Sequence, residues 1–306
     1  VYFYLFNHQN KGTALVRALQ QAGWNWTAQL GRADVIFSDS DVPARAKILA
    51  SFHQRGKKIF LYPHAARPTL FNDFPGYPPS PYIDAHYITA AGHVPIMRSI
   101  GLPYPLEVMG WHLCPMKPFE PRTSARRVLF APIHPNSNGT LSVGDRKINA
   151  DTLRKLLPLV RSGEIELTIR YLRGLDKNGI WKEDGITYIE GDPDQSYAQI
   201  DDADVVIAHQ TFAYIAIARG VPVIMMGEDV PPRMGCEEHR DFQYARSWKK
   251  YKDLLMYPFD ILAADDVAAL FQRAVQSDCE IADWRTRLIG EPFNGPRFVK
   301  LVEKYL

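Results

Sequence analysis

Short apolar runs separated by stretches of helical spacing repeat along this chain, and that alternation narrows its fold more than any other feature. "VYFYLFN" (1–7) reads as a buried first strand, and "TALVRALQQAGW" (13–24) as an amphipathic helix with Gly23 as its stop signal. A second strand, "ADVIFSDSD" (33–41), ends in polar residues. The helix "PARAKILASFHQRG" (43–56) opens on Pro43 and closes on Gly56, the asymmetry expected of helix ends. "KKIFLYPHA", "AHYITAAG" and "LEVMGW" supply a third, fourth and fifth strand, with "HVPIMRSIG" as a helix between the last two. Strands alternating with helices at this spacing predict a parallel sheet covered on both faces.

The pattern breaks at "HLCPMKPFEPRTSARR" (112–127), where Pro115, Pro118 and Pro121 erase any periodicity. A Pro-rich stretch of this kind reads as a hinge. A second series follows: strand "RVLFAP", polar loop "IHPNSNGTLSVGDRKIN" (133–149), helix "ADTLRKLLPLVRSG" (150–163), strands "IELTIRYL" and "ITYIEG", and the short helix "DQSYAQI". Then comes "ADVVIAHQTFAYIAIARGVPVIMMGED" (203–229), a strand, turn, helix and strand. The end of the chain carries a basic aromatic stretch, "RSWKKYKDLLMYPFDI", and the helices "DDVAALFQRAVQS" and "GPRFVKLVEKYL". The expected fold class is α/β, with two doubly wound Rossmann-like domains facing a cleft. Their expected bounds are 1–111, a hinge over 112–125, 126–285, and a C-terminal helix over 286–306 that returns to the first domain. A single domain with a long insertion is the alternative.

Composition excludes several classes. The 306 residues are 46% hydrophobic and 23% charged, as in ordinary globular proteins. The apolar runs are far too short for a bilayer span, and no signal-peptide pattern is visible. Cys114, Cys236 and Cys279 are few and never spaced C-x-x-C, which argues against structural zinc or a disulfide framework. A cytoplasmic protein is therefore expected. The formal net charge of +2 is unevenly spread, with +5 in residues 1–124 and six of the nine histidines there too. A mildly basic front half suits an anionic partner, or is merely a solvated face. Neither the G-x-G-x-x-G fingerprint nor the G-x-x-x-x-G-K-[ST] loop is present, which disfavours a nicotinamide dehydrogenase or a P-loop kinase.

Ligands of open parallel sheets bind beyond the carboxyl ends of the strands, so polar residues just after each strand are the candidates. In the front half these are Asn7, His8, Gln9, Asn10 and Lys11, then Asp39 and Asp41, then His64. In the back half they are His134, Asn136, Ser137 and Asn138, Arg170 and Arg173, and His209, Gln210 and Thr211. A helix beginning near Thr211 presents unpaired backbone N–H groups and a positive dipole end. The His-Gln-Thr turn thus reads as a seat for a phosphate or diphosphate. Its plainer reading is an ordinary cap at Thr211 beside a half-buried His209.

The order of these elements and the run 203–229 resemble the GT-B glycosyltransferase superfamily. Within it the chain is most similar to the CDP-glycerol glycerophosphotransferase-like proteins, and more loosely to the UDP-N-acetylglucosamine 2-epimerase-like proteins. "VLFAPIHP", "LTIRYL" and "LYPHA" carry the same resemblance. It implies an acceptor-side front domain and a nucleotide-donor back domain. It also implies donor contacts from His134, Asn136, Ser137, Arg170, His209, Gln210 and Thr211. The sequence departs from the pattern where a Glu five residues before the Gly of the G-x-P turn would grip the donor ribose. Ile215 stands there. Glu228 and Asp229 are the substitutes in reach.

The expected activity is metal-independent transfer of a sugar or phosphopolyol from a nucleotide-activated donor to an acceptor hydroxyl. Without a D-x-D at a convincing strand end, neutralising a diphosphate leaving group falls to Arg170, the helix start and His209. No metal and no cofactor are expected, the activated donor being a substrate. The acceptor's proton needs a base, for which His64 comes first and His8 or Asp39 next. The plainer reading of His64 is a capping or core histidine, and of Arg170 a partner for Asp192 or Asp194. The expected acceptor is polymeric or hydroxylated, with an anionic one among the options. Nucleic acid is a less favoured partner, suggested by the basic aromatic stretch, and a DNA-base-modifying glycosyltransferase is the corresponding alternative. A nucleotide-sugar 2-epimerase and a non-catalytic nucleotide- or glycan-binding module are the others.

Overall fold

The computed structural model describes residues 1–6, 14–39, 43–63, 80–99, 101–120, 122–133, 143–171, 183–191, 196–226, 259–276 and 278–306. They fall into two compact units. The first comprises Val1–Pro115 and Thr286–Leu306, the second the described residues of 116–226 and 259–285.

The first unit is built on six parallel strands: β1 (Tyr2–Leu5), β2 (Asn25–Trp26), β3 (Val35–Ser38), β4 (Lys58–Leu61), β5 (Ala85–Ile88) and β6 (Leu106–Val108), in the order β2-β1-β3-β4-β5-β6. The sequence pattern missed β2, whose two residues pair with Tyr2 and Phe3 but are too few to show a period. Helices α1 (Ala14–Gln21), α2 (Pro43–Gln54) and α3 (His93–Ser99) connect the strands. Register puts Leu5, Phe37 and Phe60 side by side on one face. Against that face packs the helix formed by Gly295–Glu303 (α9), which buries Phe298, Val299 and Val302. Its cap is Asn294, whose Oδ1 accepts from the Arg297 N–H at 3.0 Å. Phe298 sits 5.2 Å from Tyr87 and 6.2 Å from Phe37, edge or tilted contacts that each add about 0.5–1.5 kcal/mol to simple burial. Glu107 on β6 fixes the far end, accepting from Lys304 Nζ at 2.8 Å and from the Tyr305 hydroxyl.

The second unit has five parallel strands: β7 (Arg127–Phe130), β8 (Glu166–Tyr171), β9 (Thr187–Glu190), β10 (Val205–Ala208) and β11 (Val223–Met225), in the order β11-β10-β7-β8-β9. The first strand in sequence lies in the middle, so the winding reverses between β7 and β10. Helices α4 (Val143–Arg161), α5 (Ser196–Asp201), α6 (Gln210–Ala218), α7 (Val267–Gln276) and α8 (Asp278–Leu288) complete it, the last of these carrying the chain back into the first unit.

Two elements correct the sequence reading. α4 begins at Val143, well inside the expected loop, because the polar residues Asp145, Asn149 and Thr152 share one helical face and are buried rather than solvated. α8 was not expected at all, in a charged stretch whose Ile281 and Trp284 are buried at i, i+3 spacing. Trp284 stacks on Tyr214 with centroids 5.4 Å apart. Most of the basic aromatic stretch lies outside the described residues, but Asp260 forms a parallel bridge beside Met225 of β11. The Pro-rich segment is ordered where described: Cys114 is buried in the first unit, and in the second the Lys117 N–H donates to Ala218 O at 2.9 Å. Among the described residues no helix is long and apolar enough to cross a membrane.

Candidate functional site

The reversal of winding between β7 and β10 opens a crevice beyond the carboxyl ends of those strands, where open α/β sheets hold ligands. β10 is buried along its whole length and delivers His209 to that edge. His209 is extended (φ −127°, ψ 147°) and is the N-cap of α6, but its side chain does not cap the helix. α6 thus starts at Gln210, and Thr211 lies within the first turn rather than at the cap position expected of it. The first N–H groups of α6 point out of the helix toward this edge, with the positive end of its dipole. The side chains of Gln210 and Thr211 lie outside the described residues.

Arg170, near the end of β8, joins this helix start. It is only 9% exposed. Its Nε donates to Gln199 Oε1 of α5 at 3.0 Å, and its guanidinium carbon lies 4.8 Å from the centre of the Phe212 ring in the first turn of α6. A cation over an aromatic face gains about 0.5–2 kcal/mol, more as it is desolvated. Asp192 and Asp194, the carboxylate partners the plainer reading gave it, lie outside the described residues. α5 is itself pinned to the far end of α6. Asp201 accepts from Arg219 Nε at 3.0 Å and from Lys117 Nζ at 2.8 Å, and Arg219 lies over Tyr197. Burial works against the Asp201 charge, but the hydrogen bonds from Arg219 and Lys117 outweigh it and hold the carboxyl below its usual range.

The turn after α6 needs its glycine. Gly220 has φ +77°, and a Cβ there would stand 1.9 Å from the Pro118 carbonyl oxygen. "ARGVP" is thus a backbone crossing as well as a helix stop.

Sequence reasoning missed Asn149. Fully buried on α4, it donates from Nδ2 to Ile133 O at 2.9 Å and accepts from the Ile133 N–H at 2.8 Å. This two-point clamp fixes the chain where it leaves β7. Its faint signal was the helical spacing of Asp145, Asn149 and Thr152, hidden in a run rich in loop-forming residues. At the opposite end of the same strands Asp204 accepts from the Arg127 N–H and guanidinium, both at 2.8 Å.

Of the expected catalytic residues, Asp39 is described and His8 and His64 are not. Asp39 follows β3 and is ion-paired with Arg45, whose guanidinium also donates to Ser38 Oγ at 3.1 Å and lies 4.8 Å over the Phe6 ring. Its carboxylate is thus already held by a guanidinium through a charge-assisted hydrogen bond. His134, Asn136, Ser137, Glu228 and Asp229 lie outside the described residues. The structure therefore brings together Arg170 and the α6 start, and leaves the remaining donor contacts as expectations. A cavity of about 740 Å³ opens at the amino ends of this sheet, lined by Arg127, Glu166, Thr168, Thr187, Gln199 and Asp202. It lies at the wrong end of the strands for the crevice, and touches it through Gln199, the partner of Arg170.

No protein-family model matches the chain, and no curated protein matches it. Solved structures do. A candidate UDP-N-acetylglucosamine 2-epimerase from Listeria monocytogenes aligns with a TM-score of 0.63 at 11% identity, covering 99% of this chain and 96% of that one. The spinosyn rhamnosyltransferase SpnG, in complex with spinosyn aglycone, aligns at 0.57 and 15% identity over 99% and 100%. The UDP-GlcNAc 2-epimerase of Methanocaldococcus jannaschii, bound to UDP-GlcNAc and UDP, aligns at 0.55 and 11% identity over 99% of both chains. With two parallel α/β sheets and these structural neighbours, the chain has the GT-B fold.

Proposed function

We propose that this chain is a transferase that moves a sugar, or a phosphopolyol, from a nucleotide-activated donor to an acceptor hydroxyl. The observation that carries the reading is the buried Arg170 guanidinium, held by Gln199 and Phe212 at the N-terminal turn of α6. When the bond to the transferred group breaks, its electron pair stays on the diphosphate. A pre-oriented cation beside a helix N-terminus stabilises that charge without reorganising. Arg170 and α6 do this work without a metal ion, and the nucleotide is a substrate rather than a cofactor. The ribose carboxylate missing at Ile215 is supplied by Glu228 or Asp229. His64 or His8 takes the acceptor's proton in preference to Asp39, which Arg45 engages.

A second reading, a nucleotide-sugar 2-epimerase, is supported by the epimerases among the structural neighbours. It needs the same seat, since its diphosphate would also have to leave. Both readings are tested by melting curves with UDP, CDP, GDP and ADP on the wild type and on Arg170→Ala. A rise with one nucleoside diphosphate that Arg170→Ala abolishes is the expected result. No rise with any of them would sink both. Nucleotide release from the matching sugar donor that depends on an added acceptor separates transfer from epimerisation.

A further inference from the structure

The face of the second unit's sheet that carries Arg170 is covered along only part of its length. Register sets Leu129, Thr168 and Thr187 in one row across β7, β8 and β9, with Arg170 and Ile189 in the next row toward the carboxyl ends. α5 meets this face through Gln199, at the Arg170 end. Its six residues span about 9 Å, against about 20 Å for the six of β8, so the amino half of the face is left open. The cavity of about 740 Å³ lies there, with a volume typical of small-molecule sites.

The polar groups around this cavity differ in what they have left to offer. The Arg127 guanidinium is taken up by Asp204, at 2.8 and 3.3 Å, and Glu166 by Arg126 at 2.8 Å. Gln199 commits its Oε1 to Arg170, which leaves its amide N–H groups as donors. Asp202 is exposed and adds a carboxylate to the lining. The hydroxyls of Thr168 and Thr187 can donate or accept. An anion would meet two carboxylates here, Glu166 and Asp202, and a guanidinium already paired. An ammonium could answer Asp202 but cannot accept from Gln199. A neutral hydroxyl does both, donating to the carboxylate and accepting from the amide or a threonine. Leu129 and Ile189 offer apolar surface to the carbon skeleton that carries such hydroxyls.

We infer that this cavity is a second binding site, for an uncharged sugar or polyol, whose occupancy is felt at Arg170 through Gln199. Gln199 is shared by the cavity and the crevice, so a ligand that takes its N–H draws on the same amide that positions the guanidinium. The site stands apart from the transferase reading. Only the use of the coupling, to tune the donor seat, rests on that reading.

NMR on the whole labelled chain, following threonine and isoleucine methyls and arginine Nε–H signals, tests this. Glucose or N-acetylglucosamine should move the Thr168, Thr187 and Ile189 methyls along one saturable curve, and the Arg170 Nε–H with them. Inorganic phosphate and glucose 6-phosphate should leave all four still. Thr187 is exposed on the edge strand β9, so Thr187→Trp should fold as wild type does, fill the cavity and abolish the Thr168 response. Asp202→Ala, also at an exposed position, should weaken sugar binding several-fold. The site is overturned by the absence of a saturable shift with either sugar, by equal shifts with phosphate, or by a response that survives Thr187→Trp. Should Thr187→Trp melt well below wild type, Asp202→Ala decides, and undiminished sugar binding there also overturns the site. Methyl shifts that leave the Arg170 signal still overturn the coupling. A wild type that binds sugar here but no nucleoside diphosphate refutes the donor seat and leaves this site standing.

Discussion

Arg170 lies across Phe212, with its guanidinium carbon 4.8 Å from the ring centre, and this contact joins the end of β8 to the first turn of α6. The strand that carries the cation is two places from the strand that feeds the helix, so no local sequence pattern couples them. Lysine cannot reproduce the geometry. It lacks the planar fork that stacks on a ring while donating from Nε. Arg170→Lys should weaken binding of the preferred nucleoside diphosphate roughly tenfold, about 1.4 kcal/mol, and Phe212→Leu somewhat less. Titration calorimetry on the two variants and the double mutant checks this. Fully additive effects would mean that the stacking has no part in binding.

Gly220→Ala should cost the second unit at least about 2 kcal/mol, from a left-handed backbone with a side chain plus a forced shift of the chain at Pro118. Chemical denaturation with separate probes for the two units measures it. A loss below about 0.5 kcal/mol would mean that the crossing at Pro118 yields freely.

The fold was legible because burial on both faces of a parallel sheet writes itself as apolar runs, and the strand ends then name the edge where ligands gather. Arg170 and His209 were assigned to that edge in that way, and the structure sets both beside the start of α6. What escaped were features that depend on partners distant in sequence. β2 exists through pairing with β1, and Asn149 looks like a loop residue until Ile133 is brought opposite it. His112 was read as the first residue of a hinge, although Tyr62 and Phe293 enclose it. Asp39 could be assigned to a strand end from the sequence, but its pairing with Arg45, in the first turn of the next helix, forms only once strand and helix are folded together.

Asn149→Leu keeps the branched shape, though with a somewhat larger side chain, and removes both hydrogen bonds to Ile133, leaving a buried backbone N–H and carbonyl without them. The expected cost is about 2–4 kcal/mol. Because the clamp sets where the chain leaves β7, nucleotide affinity should fall as well, even at temperatures where the variant is fully folded. Asn149→Asp retains the acceptor but loses the donor, and should recover part of the stability. Melting curves with and without the nucleotide check both points. A variant as stable as wild type would show that water replaces the amide.

Acid should weaken the first unit well before its carboxylates are protonated. Burial depresses His86 to about 3, with a smaller push from His93, and burial depresses His112 to about 4. In the unfolded chain each takes its proton near 6.5. Between those values the unfolded chain holds more protons than the folded one, so stability falls as the pH drops below about 6.5. Each unit of pKa difference corresponds to about 1.4 kcal/mol, so the two rings together amount to several kcal/mol by pH 4. The paired carboxylates act later and in the same direction. In the first unit Asp34, through its hydrogen bond from Lys57, titrates below its usual 3.8 in the folded chain, and Glu107, where the hydrogen bonds from Lys304 and Tyr305 outweigh burial, below its usual 4.5, so their contribution is full above those values and lost beneath them. His86→Leu should therefore flatten the stability profile between pH 6.5 and 4 while changing little at pH 8. Urea titrations across that range measure the slope directly, and an unchanged slope in His86→Leu would show that this ring takes its proton in the folded chain as readily as in the unfolded one.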